Sequence, residues 1–218
     1  MDAIPTRPGN VLQAMLKVAL WLVVLLCAAE FLLSVHGKYH ALDSPAYARF
    51  VDRHGWLWLH LAGGAITLVV GALQLVARWW RDRRSLHRRV GYLYFGGMLA
   101  ASAAAAGLIA TTPAPLPIRI GFAGTALAWL ATALLAMRAI HAGRMQVHRT
   151  WMIRNYAVTF APVLFRLMLP AAIASGLQPD PTLIAGLLWA SWLLPLGVVA
   201  ATAACFAGRG MGTNADRY

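Results

Sequence analysis

The 218-residue chain is 60% hydrophobic and only 12% charged, with a mean hydropathy of +0.63, which leaves too little polar surface to wrap a water-soluble core and assigns the chain to a bilayer. Its net charge of +12 comes from 19 Lys and Arg against 7 Asp and Glu. These cations sit in short loops between apolar runs, where they orient the chain and meet anionic headgroups, and no soluble basic domain remains to bind nucleic acid.

A membrane helix needs about 20 predominantly apolar residues. Six windows meet that length, at about 15–35, 56–80, 90–111, 118–140, 152–175 and 182–206, and predict one all-α integral membrane domain of six spans. No convincing cleavage site follows the first run, so it is expected to be a retained helix. It carries Glu30, the only acid inside a window, and Cys27, which with Cys205 reads as a small core residue, not half of a disulfide. The connection HGKYHALDSPAYARFVDRHG is the only long one, and Tyr47, Phe50 and Val51 give it an apolar side suited to a short interfacial helix.

The second window places His60, Thr67, Gln74 and Arg78 on one face, with Gly64 and Gly71 beside them. The loop RWWRDRRSLHRR then leads into the third window, where His87 precedes Gly91, Gly96 and Gly97. Such glycines suit close helix contact, and a flat macrocycle pressed on a helix has the same need. After the turn TTPAPLP and the fourth window, RAIHAGRMQVHRTWMIR opens the fifth, in which His148, Asn155, Thr159 and Arg166 share a narrow stripe. Pro162 and Pro170 predict a kink there, Pro195 another in the sixth window, and GLQPDP a turn between the two. The basic loops hold ten arginines from Arg78 to Arg154, against Lys38, Arg49, Arg53 and Arg119 on the other side, so both termini are expected in the cytoplasm. Spans two with three and four with five echo one another as parallel hairpins, which puts His87 and His148 at similar depth.

Lipid satisfies none of these polar groups, so both stripes are expected to face each other inside the bundle. A central arginine costs about 2.5 to 3.5 kcal/mol on insertion scales, and Glu30 is the expected partner of Arg166, directly or through water. Of seven histidines, His36, His40, His54 and His141 read as interfacial, whereas His60, His87 and His148 are candidate haem ligands or proton carriers. Trp56, Trp58, Trp79, Trp80, Trp151, Trp189 and Trp192 are expected mostly in the interface belts. No phosphate-cradling loop, nucleophile elbow, HExxH or paired-carboxylate site is present, so no catalytic residue is assigned.

The stretches HLAGGAITLVVGALQLVARWWRDRRSLHRRVGYLY and HRTWMIRNYAVTFAPVLFR together resemble the bacterial polytopic family called domain of unknown function 2306. That pattern falls on His60, Gly64, Gln74, His87, Arg88, Gly91, Tyr94, His148, Arg149, Trp151, Met152, Arg154, Tyr156, Thr159, Phe160 and Arg166, and it implies a multi-pass protein of the bacterial cytoplasmic membrane without naming an activity. A looser resemblance, of His60, Gly64 and Gln74 followed by arginines, His87 and Gly91, is to the transmembrane b-type cytochromes and ferric reductases. It implies haem b and no other metal: His87 and His148 as axial ligands of an inner haem on neighbouring spans three and five, His60 with His36 as an outer site, and Arg154 or Arg166 opposite the propionates. The rival expectation is a proton or small-anion transporter whose polar path runs past Glu30, His60, Thr67, Gln74, Asn155, Thr159 and Arg166. A third is an assembly subunit of a membrane complex. A homo-oligomer or a redox partner is compatible with each.

Overall fold

The computed structural model describes residues 8–41, 45–76 and 83–215, and every regular element among them is a helix. In chain order these are α1 (Pro8–Tyr39), the short α2 (Pro45–Ala48), α3 (His54–Val76), α4 (Arg84–Thr111), α5 (Leu116–His141), α6 (Met145–Thr159), α7 (Ala161–Ala174) and α8 (Pro181–Ala215). Among the described residues five are long and apolar enough to cross a bilayer alone, and α6 with α7 pass the same test together as a bent pair, a sixth span if the pair is one. The chain is an all-α multi-pass membrane bundle. Arg78, Trp79 and Trp80, and the side chain of Cys205, lie outside the described residues.

Local chemistry sets the helix ends. α5 stops at a Schellman turn, in which Arg144 N–H reaches back to Ala139 O at 2.9 Å while Gly143 adopts φ +71°. α7 ends the same way, with Leu177 N–H on Ala172 O at 3.1 Å and Gly176 at φ +90°. Asp180 Oδ1 then accepts Leu183 N–H at 2.7 Å and caps α8, whose first residue is Pro181. α4 and α6 start well before their apolar windows, so His87 and His148 are each the fourth residue of a helix and not part of a loop. The two starts are alike: His87 N–H bonds Arg83 O at 3.0 Å, and His148 N–H bonds Arg144 O at 2.9 Å.

The fifth span is broken by 41° between α6 and α7. Pro162 explains it, because proline offers no amide hydrogen to Val158 O and its ring crowds that carbonyl. Pro170 and Pro195 lie inside α7 and α8 without dividing them, so the expected kink in the sixth span is not a break.

Helix contacts arrange the core as a ring in which α3 packs on α4, α4 on α5, α5 on α6 and α6 back on α3. α4 and α6 therefore stand diagonally across the bundle axis, as do α3 and α5. α8 covers α5, α6 and α7, while α1 leans on α3 and α7 with most of its apolar surface outward. The tightest seam is α3 with α4, and glycine creates it. A Cβ on Gly63 would stand 2.5 Å from Gly97 O and 2.9 Å from Ala101 N, both backbone atoms that cannot step aside. Gly71 likewise receives the rings of Tyr156 and Tyr94.

This seam is directly testable. Gly63→Val should destabilise the protein by about 1 to 3 kcal/mol through overpacking, whereas Gly64→Ala, whose added Cβ meets nothing within 4 Å, should leave the detergent melting temperature unchanged or raised. Thermal melts followed by fluorescence-detected size exclusion compare the two.

Candidate functional site

The centre of the ring is polar and self-satisfied. Asn155, on α6, is wholly buried; its Nδ2 donates to Trp129 O and Thr132 Oγ1 of α5, both at 2.8 Å. Its Oδ1 accepts the hydroxyl of Tyr94, which reaches across the diagonal from α4 at 2.5 Å. Thr159 Oγ1 accepts Trp129 Nε1–H at 2.8 Å and shares its own hydrogen between Asn155 O at 3.0 Å and the Tyr94 oxygen at 2.9 Å. Tyr156, next along α6, turns the other way and donates to Leu68 O on α3 at 3.1 Å. Hydrocarbon would leave each of these groups unpaired, so their mutual bonding fixes how four helices sit around one point.

The two expected stripes do not form one open chamber. Thr67 is fully buried, but its hydroxyl bonds Gly63 O and Gly64 O of its own helix at 3.0 and 2.8 Å. Gln74 Nε2 donates to His87 O at 3.0 Å, linking the end of α3 to the start of α4, while Gln74 Oε1 is buried without a donor. Asn155 and Thr159 belong to the central knot. Gln74 is the described member of the second-span stripe that bonds the start of α4 at His87 O.

Two of the three histidines are held alike. His148 Nδ1 lies 2.9 Å from Ala136 O on α5, and His60 Nδ1 lies 3.0 Å from Ala101 O on α4. A carbonyl only accepts, so each Nδ1 carries hydrogen and each neutral ring keeps its Nε2 lone pair for another partner. His87 and His148 precede Tyr94 and Asn155 by seven residues each, two helical turns, so each histidine lies on the same face as its tyrosine or asparagine, about 10 Å toward the basic loops. Tyr94 and Asn155 touch across the axis, so the helix faces that carry His87 and His148 lie on the inner sides of α4 and α6, and the His148 ring itself is turned onto α5 by its bond to Ala136 O. The expectation that spans three and five are neighbours is corrected: α4 and α6 are diagonal. Bundle cofactor sites are built from facing helices, and two imidazoles with a metal between them need the wider separation.

The outer pair has no such support. His36, exposed near the end of α1, stacks on His40 with ring centres 5.4 Å apart, and α1 packs outside the ring. His36 and His60 are not brought together among the described contacts.

Among the described residues no direct ion pair joins Glu30 to Arg166. Its Nη1 reaches Ser34 Oγ at 3.4 Å, and its guanidinium lies 5.0 Å from the centre of the Phe31 ring. Glu30 is exposed on α1, one helical turn short of Ser34. The break at Phe160 turns α7 toward α1, and there the Arg166 guanidinium settles on the Phe31 face and Ser34. Arg166 also stands about 27 Å along the chain's rise from His148 and cannot serve groups bound there. Arg154 lies about 100° around α6 from Asn155, with its guanidinium 4.6 Å from the centre of the Trp151 ring.

The belt expectation fails for Trp189 and Trp192. Trp189 fills the space beside Gly124, and Trp192 joins Val158 and Ala161 in the core, because α8 turns its small and aromatic residues onto α5 and α6. Trp129 and Thr132 were not singled out from sequence. Their signal was position: an indole N–H and a hydroxyl near the middle of an apolar span need partners inside the protein.

A family model described as "Predicted membrane protein (DUF2306)" matches residues 57–203, which include α4 through α7 entire and nearly all of α3. No curated protein and no solved structure matches the chain.

Removing the amide tests the central knot. Asn155→Ala should cost about 1 to 3 kcal/mol by removing the acceptor of the Tyr94 hydroxyl and the donor to Trp129 O and Thr132 Oγ1, and Tyr94→Phe should cost less. In a double-mutant cycle the pair should show coupling of about 0.6 to 1.7 kcal/mol, measured by reversible unfolding in mixed micelles.

Proposed function

The chain belongs to the DUF2306 family of predicted membrane proteins, and from that premise we propose a b-type haem protein of the bacterial cytoplasmic membrane, passing electrons within the bilayer. His87 and His148 are the proposed axial ligands of one haem at the basic, cytoplasmic end of the ring. The observation that carries this reading is the 2.5 Å contact of Tyr94 with Asn155, two turns beyond the two histidines on diagonal helices.

The chain's own groups fit such a ligand set. His148 is a pre-oriented donor: its Nδ1–H on Ala136 O fixes the ring plane, the usual outer support for a ligating imidazole. Gln74 Oε1, buried and lacking a donor beside the start of α4, marks a polar atom that the protein leaves unsatisfied in the same region. Arg88 and Arg149 follow the two histidines and are exposed at that end, which suits them better than Arg154 or Arg166 to meet propionate carboxylates. The Tyr94–Asn155 bond ties α4 to α6 two turns from the two histidines. A haem held there by His87 and His148 would supply a one-electron carrier. The proposed site is single, since His60 has no second histidine beside it.

A second reading, a proton or small-anion path, draws on one observation, the broken fifth span, a device transporters use at their binding sites. It is less well supported, because Thr67, Asn155 and Thr159 already spend their hydrogen bonds on the protein itself.

The full chain, expressed with ample haem precursor and purified in mild detergent, should show a sharp b-type spectrum on dithionite reduction, at one haem per chain. His148→Ala and His87→Ala should each abolish it while eluting as folded protein, and His60→Ala should retain it. Colourless wild-type protein, or loss with His60→Ala alone, overturns the assignment and leaves the transport reading.

A further inference from the structure

Away from the proposed haem end, the cations Lys38, Arg49 and Arg53 gather where the positive-inside bias gives no reason for them. Two half-open concavities of about 370 Å³ each meet there and share Arg49. One is lined by Arg53, Trp56, Thr111 and Asp52, the other by Lys38, Tyr39 and Phe50.

Arg53 is held in place by its neighbours. Its Nη2 donates to Arg49 O at 3.1 Å, and its guanidinium lies 5.0 Å from the centre of the Phe50 ring. Its Nη1 is buried and has no acceptor. Asp52 lines the same concavity but does not supply that acceptor. Arg49, whose side chain is exposed, and Lys38 add like charge, and Arg166 stands within electrostatic range of Lys38. Trp56, Phe50 and Tyr39 supply aromatic walls near the start of α3 and the end of α1, and Trp56 is seated against Gly107.

We propose that Arg49 and Arg53 form an anion site for a phosphate oxyanion at the end of the bundle opposite the basic loops, with Trp56 and Thr111 as its walls. A fixed guanidinium fork matches phosphate oxygens, and a phosphate brings the acceptors that the protein leaves missing. The site does not depend on the haem reading.

The test uses the full chain in detergent, stripped of lipid and then given phosphatidylglycerol, phosphatidylcholine, diacylglycerol or inorganic phosphate, with binding read by native mass spectrometry and thermal shift. Wild type should bind a phosphate-bearing probe about tenfold more tightly than Arg49→Gln or Arg53→Gln, while Arg84→Gln/Arg89→Gln, at the basic end, keeps this component. Diacylglycerol, which lacks the phosphate, should not substitute. If inorganic phosphate alone gives the Arg49-dependent shift, the ligand is a soluble anion; if only phospholipid does, it is a headgroup. Should Arg53→Gln fail to fold, Arg49→Gln decides alone, because that exposed side chain makes no hydrogen bond of its own among the described residues. Equal binding by wild type and Arg49→Gln overturns the proposal.

Discussion

A bilayer interior offers no water, so each polar group placed there must find its partner within the protein. Among the described residues the largest side-chain answer to that constraint is the Tyr94 hydroxyl on Asn155, with Thr159, Trp129 and Thr132 closing around them. Small residues govern how closely the helices approach, but only this cluster says which faces point inward and at what height. A slip of one residue in α6 would rotate Asn155 by about 100° and strand five hydrogen-bonding groups in hydrocarbon. The knot thus specifies register much as a buried asparagine does in a coiled coil.

The positions of other residues follow from it. With α4 and α6 pinned across the diagonal, residues one heptad nearer the basic loops lie on the same inner faces, and these are His87 and His148. Gly71 admits the two tyrosine rings, and Gly63 with Gly97 brings α3 against α4 closely enough for His60 to reach Ala101 O. Helices α1, α7 and α8 lie outside the ring and share less of this polar bonding. Their seats are set mainly by apolar contact, as in the cluster of Ala28, Leu68, Tyr156 and Val163.

Much of this was legible in the residues. Apolar length gave the helices, prolines and glycines their ends, and the spacing of His148, Asn155 and Thr159 a buried face on the fifth span. What composition could not reveal was which polar groups meet. Thr67 looked like part of a shared stripe, yet a threonine in a helix can bond its own preceding carbonyls and need nothing from a neighbour. Glu30 and Arg166 looked like a pair because opposite charges in lipid invite one, but the break at Phe160 turns α7 toward α1, and one-dimensional spacing through a proline does not predict the new direction. The diagonal arrangement of spans three and five was also hidden, since a periodic stripe fixes a helix's inward face and not its place in the ring.

The 41° break has a mechanical meaning of its own. A continuous helix behaves as a stiff rod and transmits twist along its length, whereas an interrupted ladder of backbone bonds acts as a compliant joint. The half that bears His148 is bolted to the ring by Asn155, Tyr156 and Thr159, and the half that bears Arg166 rides against α1 and α8. Lateral squeezing by the surrounding lipid, or tilting of α1, is therefore absorbed at Phe160, and the imidazole at the far end is insulated from it.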